Sequence, residues 1–251
     1  EWDKNYQKKI IANNKLEFVG GFEHKKHKNI NKEFNKVSDI QSSKLIHSNP
    51  TPSIKLANVL IDFTTPQSTL ENIKIASLNK TAVVIGTTGI TTAQKNKIKS
   101  FSKKIPILMS SNMSLGVNLL FNLVKQTSSA LKETDYDIEI AETHHKHKKD
   151  APSGTALSLG DHAALGRKTS LNKLKILDRT KKLSSRKKGD IGFSVTRGGE
   201  IAGEHTVSFI GENDRVDLVH KANNRSIFVK GALDAAIFLS KKKSGFYTMN
   251  D

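Results

Sequence analysis

Residues 57–80, ANVLIDFTTPQSTLENIKIASLNK, pass from an apolar run through a Thr/Pro turn into a stretch with helical spacing. Residues 81–104, TAVVIGTTGITTAQKNKIKSFSKK, repeat the scheme with a Gly/Thr turn. Residues 105–132, IPILMSSNMSLGVNLLFNLVKQTSSALK, repeat it again, with a long apolar helix after Ser114. Apolar, β-branched runs alternating with helical segments predict a parallel α/β sheet. Residues 15–27, KLEFVGGFEHKKH, read as a further short strand ending on an acid. Ligands of such sheets gather at the carboxyl ends of the strands. Here those ends are Glu23, Thr64, Gly86 to Gly89 and Ser110 to Met113.

Beyond this stretch the pattern changes. YDIEIAETHHKHKKD, residues 136–150, is a strand running into a histidine cluster, and SGTALSLGDHAALGR, residues 153–167, is a helix. Alternating runs then follow in quick succession at Ile191 to Thr196, His205 to Ile210 and Arg215 to His220. Strands so close together predict an antiparallel or mixed sheet, hence a second domain. The closing SIFVKGALDAAIFLSKKK, residues 226–243, reads as one apolar helix that returns to the first domain. KKLSSRKKGD, residues 181–190, reads as a solvated basic loop.

A chain of 251 residues suffices for one large or two modest domains and can bury a substantial core. With 36% hydrophobic and 26% charged residues it has a globular rather than a disordered composition. Cysteine is absent, which excludes a disulfide framework and a thiolate nucleophile and fits a reducing cytoplasm. No apolar run approaches membrane-spanning length, and the opening residues lack the apolar core of a signal peptide. The net charge of +17 invites a nucleic-acid reading. Against it, the lysines are spread along the whole chain and aromatics make up only 6%. Abundant Lys, Asn and Ile match the composition of proteins from AT-rich genes. The charge is read instead as steering a small anionic ligand.

Three constellations carry chemistry. The turn VVIGTTG, around Gly86, Thr87 and Thr88, lets backbone N–H groups approach a phosphate or ring, although many plain strand-to-helix turns look the same. Glu23 stands where a dinucleotide-binding unit holds its ribose acid. His24, Lys25 and Lys26 follow and would tolerate a ribose 2′-phosphate, or form a surface charge cluster. The third constellation is ETHHKHKKDAPSGTA, residues 142–156. Its histidines at 144, 145 and 147 fit no common zinc spacing, and lysines at 146, 148 and 149 would repel a cation, so no metal is expected. Ser153 does not sit in a hydrolase-type nucleophile elbow. Pro152, Ser153, Gly154 and Thr155 open a helix whose free N–H groups and dipole suit a carboxylate or phosphate. Lys148 and the histidines would ring the same anion, with one histidine as proton donor. A basic surface loop is the other reading.

This run closely resembles the signature E-x-H-H-x-x-K-x-D-x-P-S-G-T-A of dihydrodipicolinate reductases, now called 4-hydroxy-tetrahydrodipicolinate reductases. IDFTTPQSTL, VVIGTTG, SSNMSLGVNLL, GDIGFSVTRGGEIAGEHTVSF, HKANNR and SGFYTMND also resemble family blocks, in family order, from about Glu17 onward. The resemblance implies reduction of a cyclic dicarboxylate by NADPH or NADH in the diaminopimelate route to lysine, in the cytoplasm. It implies a Rossmann-like parallel-sheet nucleotide domain, here residues 1–114 with 225–251. It also implies a smaller α+β mixed-sheet substrate domain, residues 115–224, that builds a homotetramer. Neither nucleic acid nor membrane is an expected partner. By position, His144 and Lys148 match the catalytic pair, and His145, Gly154 and Thr155 the substrate carboxylate site. Glu23, Gly86, Thr87, Thr88, Ser110, Ser111, Asn112 and Met113 match the cofactor site.

The family opens on a strand and a G-x-x-G-x-M-G loop. This sequence opens on EWDKNYQKKIIANNK, which reads as the helix just after that loop. The expectation is a natural chain that carries the loop ahead of Glu1. The alternative is an inactive or dicarboxylate-binding relative without a working cofactor site.

Overall fold

The computed structural model describes residues 13–37, 42–180 and 185–251. Most of the helix expected at the start and residues 181–184 of the basic loop lie outside the described residues. Besides short helices at Phe34–Val37, Thr51–Leu56 and Leu171–Leu174, the elements in chain order are β1 (Val59–Asp62), α1 (Pro66–Leu78), β2 (Ala82–Ile85), α2 (Thr92–Phe101), β3 (Pro106–Met109) and α3 (Leu115–Ala130). These are followed by β4 (Asp137–His144), α4 (Gly154–Gly166), β5 (Lys175–Ile176), β6 (Ile191–Arg197), β7 (Glu204–Ile210) and β8 (Arg215–Lys221). The last are α5 (Ser226–Leu239) and β9 (Gly245–Tyr247). The chain divides into two compact units, Glu1–Ser114 with Ser226–Asp251, and Leu115–Arg225.

The first unit holds a sheet in the order β1-β2-β3-β9, all parallel. Every residue of β2 is buried, as expected of a strand covered on both faces. Val83, Ile85 and Ile107 point into one apolar cluster with Leu70, Ile73 and Ala76 of α1 and Ile98 of α2. Ala82, Val84 and Leu108 point into another with Ala232, Ala235, Ala236 and Leu239 of α5. The strand period of two therefore sorts β2 onto two helical layers. Thr65 caps α1 by accepting from the Ser68 N–H, with Pro66 in the first turn. Thr91 and Gln94 form a capping box on α2.

The second unit holds a mixed sheet in the order β5-β6-β4-β7-β8. β4 runs parallel to β6 and antiparallel to β7, and β8 is antiparallel to β7. Ile138, Ile140, Ile191, Val207 and Phe209 form its core with Ala156, Leu159 and Ala163 of α4 and Val117, Phe121 and Val124 of α3. The α3–α4 approach is close, since Ser128 Oγ donates to the Ala163 carbonyl at 2.7 Å.

The parallel and mixed sheets and the apolar closing helix match the sequence expectations. The strand expected over Glu17 to Glu23 does not form a ladder: Phe22 makes an isolated parallel bridge to His47. The Glu23 N–H donates to the His47 carbonyl at 2.9 Å. Two consecutive glycines, Gly20 and Gly21, precede the bridge and bring little strand propensity. The short β9 was read only as a sequence block, because three residues carry no period.

Candidate active site

Along β4 the side chains of Ile138, Ile140, Glu142 and His144 share the buried face. The first two belong to the core, so the same face turns from apolar to ionisable at the strand's carboxyl end. β7, which is antiparallel, does the same at its amino end: Phe209 and Val207 are core residues and His205 precedes them on the same face. The antiparallel register sets His205 directly opposite Glu142. The parallel register sets Arg197 opposite His144.

Glu142 is 2% exposed. One carboxylate oxygen contacts His144 Nδ1. The other accepts from Arg197 Nη2 at 2.9 Å and from the Ser153 N–H at 2.8 Å. Burial alone would push this carboxyl up, but the bonds from His144, Arg197 and the Ser153 N–H outweigh it and hold the group at about 2. A carboxylate against Nδ1 holds the proton on that nitrogen, fixes the ring orientation of His144 and leaves Nε2 as the outward nitrogen. A Cβ at Gly203 would lie 2.9 Å from that Nε2, and Gly203 has φ +152°. Glycine there keeps the space around the ring open.

His205 is 4% exposed, with its ring edge-on to that of His144 at 5.1 Å between centroids. Burial, then the neighbouring His144, push its imidazole down to about 4, so it stays neutral near pH 7. Its Nε2 lies 3.3 Å from Ser153 Oγ, and that oxygen also accepts the Ala156 N–H and caps α4. Ser153 is thus occupied as a cap, consistent with its poor standing as a nucleophile. Glu142, His144 and His205 are the described acid–imidazole cluster whose atoms all lie within 4.8 Å. Arg197 sits on that carboxylate, which favours an ion-paired dyad over a cation site.

The histidine and lysine run does not converge on one point. Lys146 and His147 face Glu200, at 3.4 and 3.8 Å, on the exposed surface. His147 is therefore not among residues ringing a buried anion. His145 Nε2 meets the Arg225 guanidinium at 2.7 Å. Burial, then Arg225, hold its imidazole below the usual range, so a substrate carboxylate would find its positive charge on Arg225 and Lys148. Lys148 Nζ pairs with Asp150 at 2.8 Å. Burial pushes the Asp150 carboxyl up, but Lys148 and the Gly154 N–H bring it below the usual range. Beside Gly154 a Cβ would meet open space, so that side of the start of α4 is approachable, while the Gly154 N–H is engaged by Asp150.

In the first unit the turn after β2 is tied inward. Thr87 is 4% exposed and its hydroxyl bonds Thr69 and Asp62, whereas Thr88 is exposed. A Cβ at Gly86 would fall 2.1 Å from the Phe63 ring. Ser110 donates to the Asn112 carbonyl at 2.7 Å, and Asn112 Oδ1 accepts the Ser114 N–H at 2.8 Å, which shapes the turn after β3. Met113 is packed in the core under α5, so its side chain is not presented to a ligand. Glu23 is half-buried, and its Oε1 accepts the His24 N–H at 2.8 Å. Exposed Thr88 and Ser111, and backbone at the carboxyl ends of parallel strands, suit a nicotinamide nucleotide.

Stability should therefore fall on acidification in two stages. The unfolded chain protonates His205 near pH 6.5 but the folded chain only near 4, so stability is lost as pH falls through that window. Glu142 contributes fully above about 4.5 and loses its contribution as pH falls towards 2. Melting curves across this range check it. His205→Gln should flatten the upper stage, although His145 and His220, shifted the same way, keep part of it.

Residues 4–113 match the family model described as "Dihydrodipicolinate reductase, N-terminus", and residues 116–251 the one described as "Dihydrodipicolinate reductase, C-terminus". The chain is 48% identical over 197 residues to a 4-hydroxy-tetrahydrodipicolinate reductase of Zymomonas mobilis, covering 78% of this chain and 77% of that one. It is 44% identical over 213 residues to that of a Sulfurovum species, covering 85% and 83%. Among solved structures, dipicolinate-bound dihydrodipicolinate reductase from a Paenisporosarcina species superposes with a TM-score of 0.75 at 22% identity, covering 99% of this chain and 94% of that one.

Proposed function

The chain belongs to the dihydrodipicolinate reductase family, and from that premise we propose how its own residues carry out the reduction. The enzyme reduces 4-hydroxy-tetrahydrodipicolinate to tetrahydrodipicolinate with a nicotinamide cofactor, in the diaminopimelate route to lysine. Nothing in the site favours the alternative of an inactive relative.

The observation that carries the residue assignment is the buried Glu142–His144 pair beside Lys148 and the start of α4. When bound, the reduced nicotinamide supplies the hydride. In this reading Glu23, Gly86 to Thr88 and Ser110 to Asn112 of the first unit hold that cofactor. His145, Gly154 and Thr155 of the second unit hold the substrate dicarboxylate, with Arg225 and Lys148 supplying positive charge. Loss of the 4-hydroxyl as water gives a ring C=C conjugated to the imine, and hydride addition at its far carbon leaves an enamine-like carbon. His144 gives that carbon a proton from Nε2, while Glu142 keeps the ring aimed through Nδ1. A placed acid contributes roughly 10²–10⁴-fold.

We read the enzyme as cytoplasmic and homotetrameric. The absence of cysteine supports the first, and exposed Val195, Val216 and Val219 on the second unit's sheet support the second. No helix among the described residues is long and apolar enough to cross a membrane. The +17 charge is read as attraction for an anionic substrate and cofactor, with no nucleic-acid partner. The test is loss of reduced-nicotinamide absorbance on adding freshly made substrate, with NADH and NADPH compared. No oxidation with either would return the inactive relative to consideration.

Lys148→Ala should raise the substrate KM about tenfold and lower kcat as well, since it removes a point charge that Asp150 holds in place. Steady-state kinetics separate the two parameters. A change in KM alone would leave Lys148 as a binding residue only.

A further inference from the structure

Asp62 is the last residue of β1 and is 1% exposed. The reduction assigns it no role. A buried carboxylate is costly unless its oxygens are satisfied. Here hydroxyl, amide and backbone groups supply the bonds. Oδ1 accepts from the Thr64 N–H at 2.9 Å and the Thr64 hydroxyl at 2.7 Å. The Thr69 and Thr87 hydroxyls both stand 3.2 Å from it, and 2.9 Å from each other. Oδ2 accepts from Asn72 Nδ2 at 2.9 Å. Thr69 and Asn72 are spaced i, i+3, which puts both on one face of α1. That face is polar because it meets this carboxylate.

Each threonine hydroxyl has a single proton. The Thr87 proton goes to Asp62, and the Thr69 proton goes either to Thr87 or directly to Asp62. The carboxylate is thus the terminal acceptor for three segments: the turn after β1, the helix α1 and the turn after β2. The Gly86 N–H also donates to the Asp62 carbonyl, at 2.9 Å. Both ends of the same residue therefore hold the Gly86–Thr88 turn.

We infer that Asp62 is a positioning residue for the nicotinamide cofactor, acting through Thr87 to fix the Gly86–Thr88 turn. This rests on the reading that the turn binds the cofactor. Asparagine has the same shape but one acceptor oxygen, and its NH₂ would face either the threonine hydroxyls or the NH₂ of Asn72. The turn would lose its side-chain tether while the sheet retains its apolar packing and the Gly86 N–H its bond to the backbone carbonyl.

The experiment is a set of four substitutions in the enzyme, each read by steady-state kinetics, fluorescence titration with reduced nicotinamide cofactor, and thermal unfolding. Asp62→Asn should raise cofactor KM and Kd together by about tenfold or more, with kcat and dicarboxylate KM within about threefold of wild type. Thr87→Val, which removes only the bridging hydroxyl, should shift cofactor KM in the same direction, and Thr87→Ser should restore it. Thr88→Glu places a charge on the exposed side of the turn and should weaken the cofactor if the cofactor sits there. Weakening by Thr88→Glu, with cofactor KM unmoved in folded Asp62→Asn and Thr87→Val, would overturn the positioning role. An unmoved cofactor KM in Thr88→Glu would instead overturn the location of the cofactor. Should Asp62→Asn not fold, the Thr87 pair decides.

Discussion

His144→Gln is expected to lower turnover by about two orders of magnitude or more while leaving cofactor affinity near wild type. The ring sits at the carboxyl end of β4, with Nδ1 against Glu142 and Nε2 beside Gly203. Glutamine can fill much of that space and still bond Glu142, but its amide has no proton to give at neutral pH. The hydride step is not served by His144 in this account, so the loss should fall on kcat and not on cofactor KM. Near-normal turnover in a folded variant would remove the proposed acid. The distinction from Lys148→Ala is the split: His144→Gln strikes kcat with little effect on dicarboxylate KM.

The second large effect concerns stability. Gly231 lies in α5, and a Cβ there would fall 1.7 Å from the Met113 carbonyl oxygen. Both parties are backbone, so no side chain can rotate aside. Gly231→Ala must lift the helix from the segment after β3, at a cost of about 3 kcal/mol. In a chain of this size that corresponds to a fall in melting temperature on the order of 10 °C. α5 also carries Ala232, Ala235 and Ala236 into the core of the first unit, so the displacement would loosen its contact with β2. An unchanged melting temperature would mean that α5 shifts off Met113 without loss, and that the close approach has no structural value.

The fold was legible because the strands are short, apolar and regularly spaced. ANVLID, TAVVIG and IPILMS each end in a turn, and the period of two in residues 136–144 marks β4. The Gly20–Gly21 run reads as a strand in sequence, but a strand needs a partner along its length, and among the described residues this stretch has a single bridge, from Phe22 to His47. The site was legible only where its residues are consecutive. Glu142 could have been joined to His144 from the alternation alone, since i and i+2 share a face. Arg197, His205 and Arg225 could not, because their approach depends on how β6, β7 and the segment after β8 meet β4. Asp62 closes the apolar run of β1. Its meaning lies in Thr69, Asn72 and Thr87, which the turn and the helix bring to it.

In β4 the acid and its partner occupy the parity of the core residues Ile138 and Ile140, and Glu139, Ala141 and Thr143 the opposite parity. Folding and chemistry are therefore written in one reading frame. Deleting a single residue between Ile140 and Glu142 would exchange the two sets: either the isoleucines leave the core or Glu142 and His144 leave the site. Substitution within the strand leaves this frame intact, whereas a change of one residue in length does not. A gain or loss of length can enter only in pairs of residues, or beyond His144, where the backbone has already left the sheet.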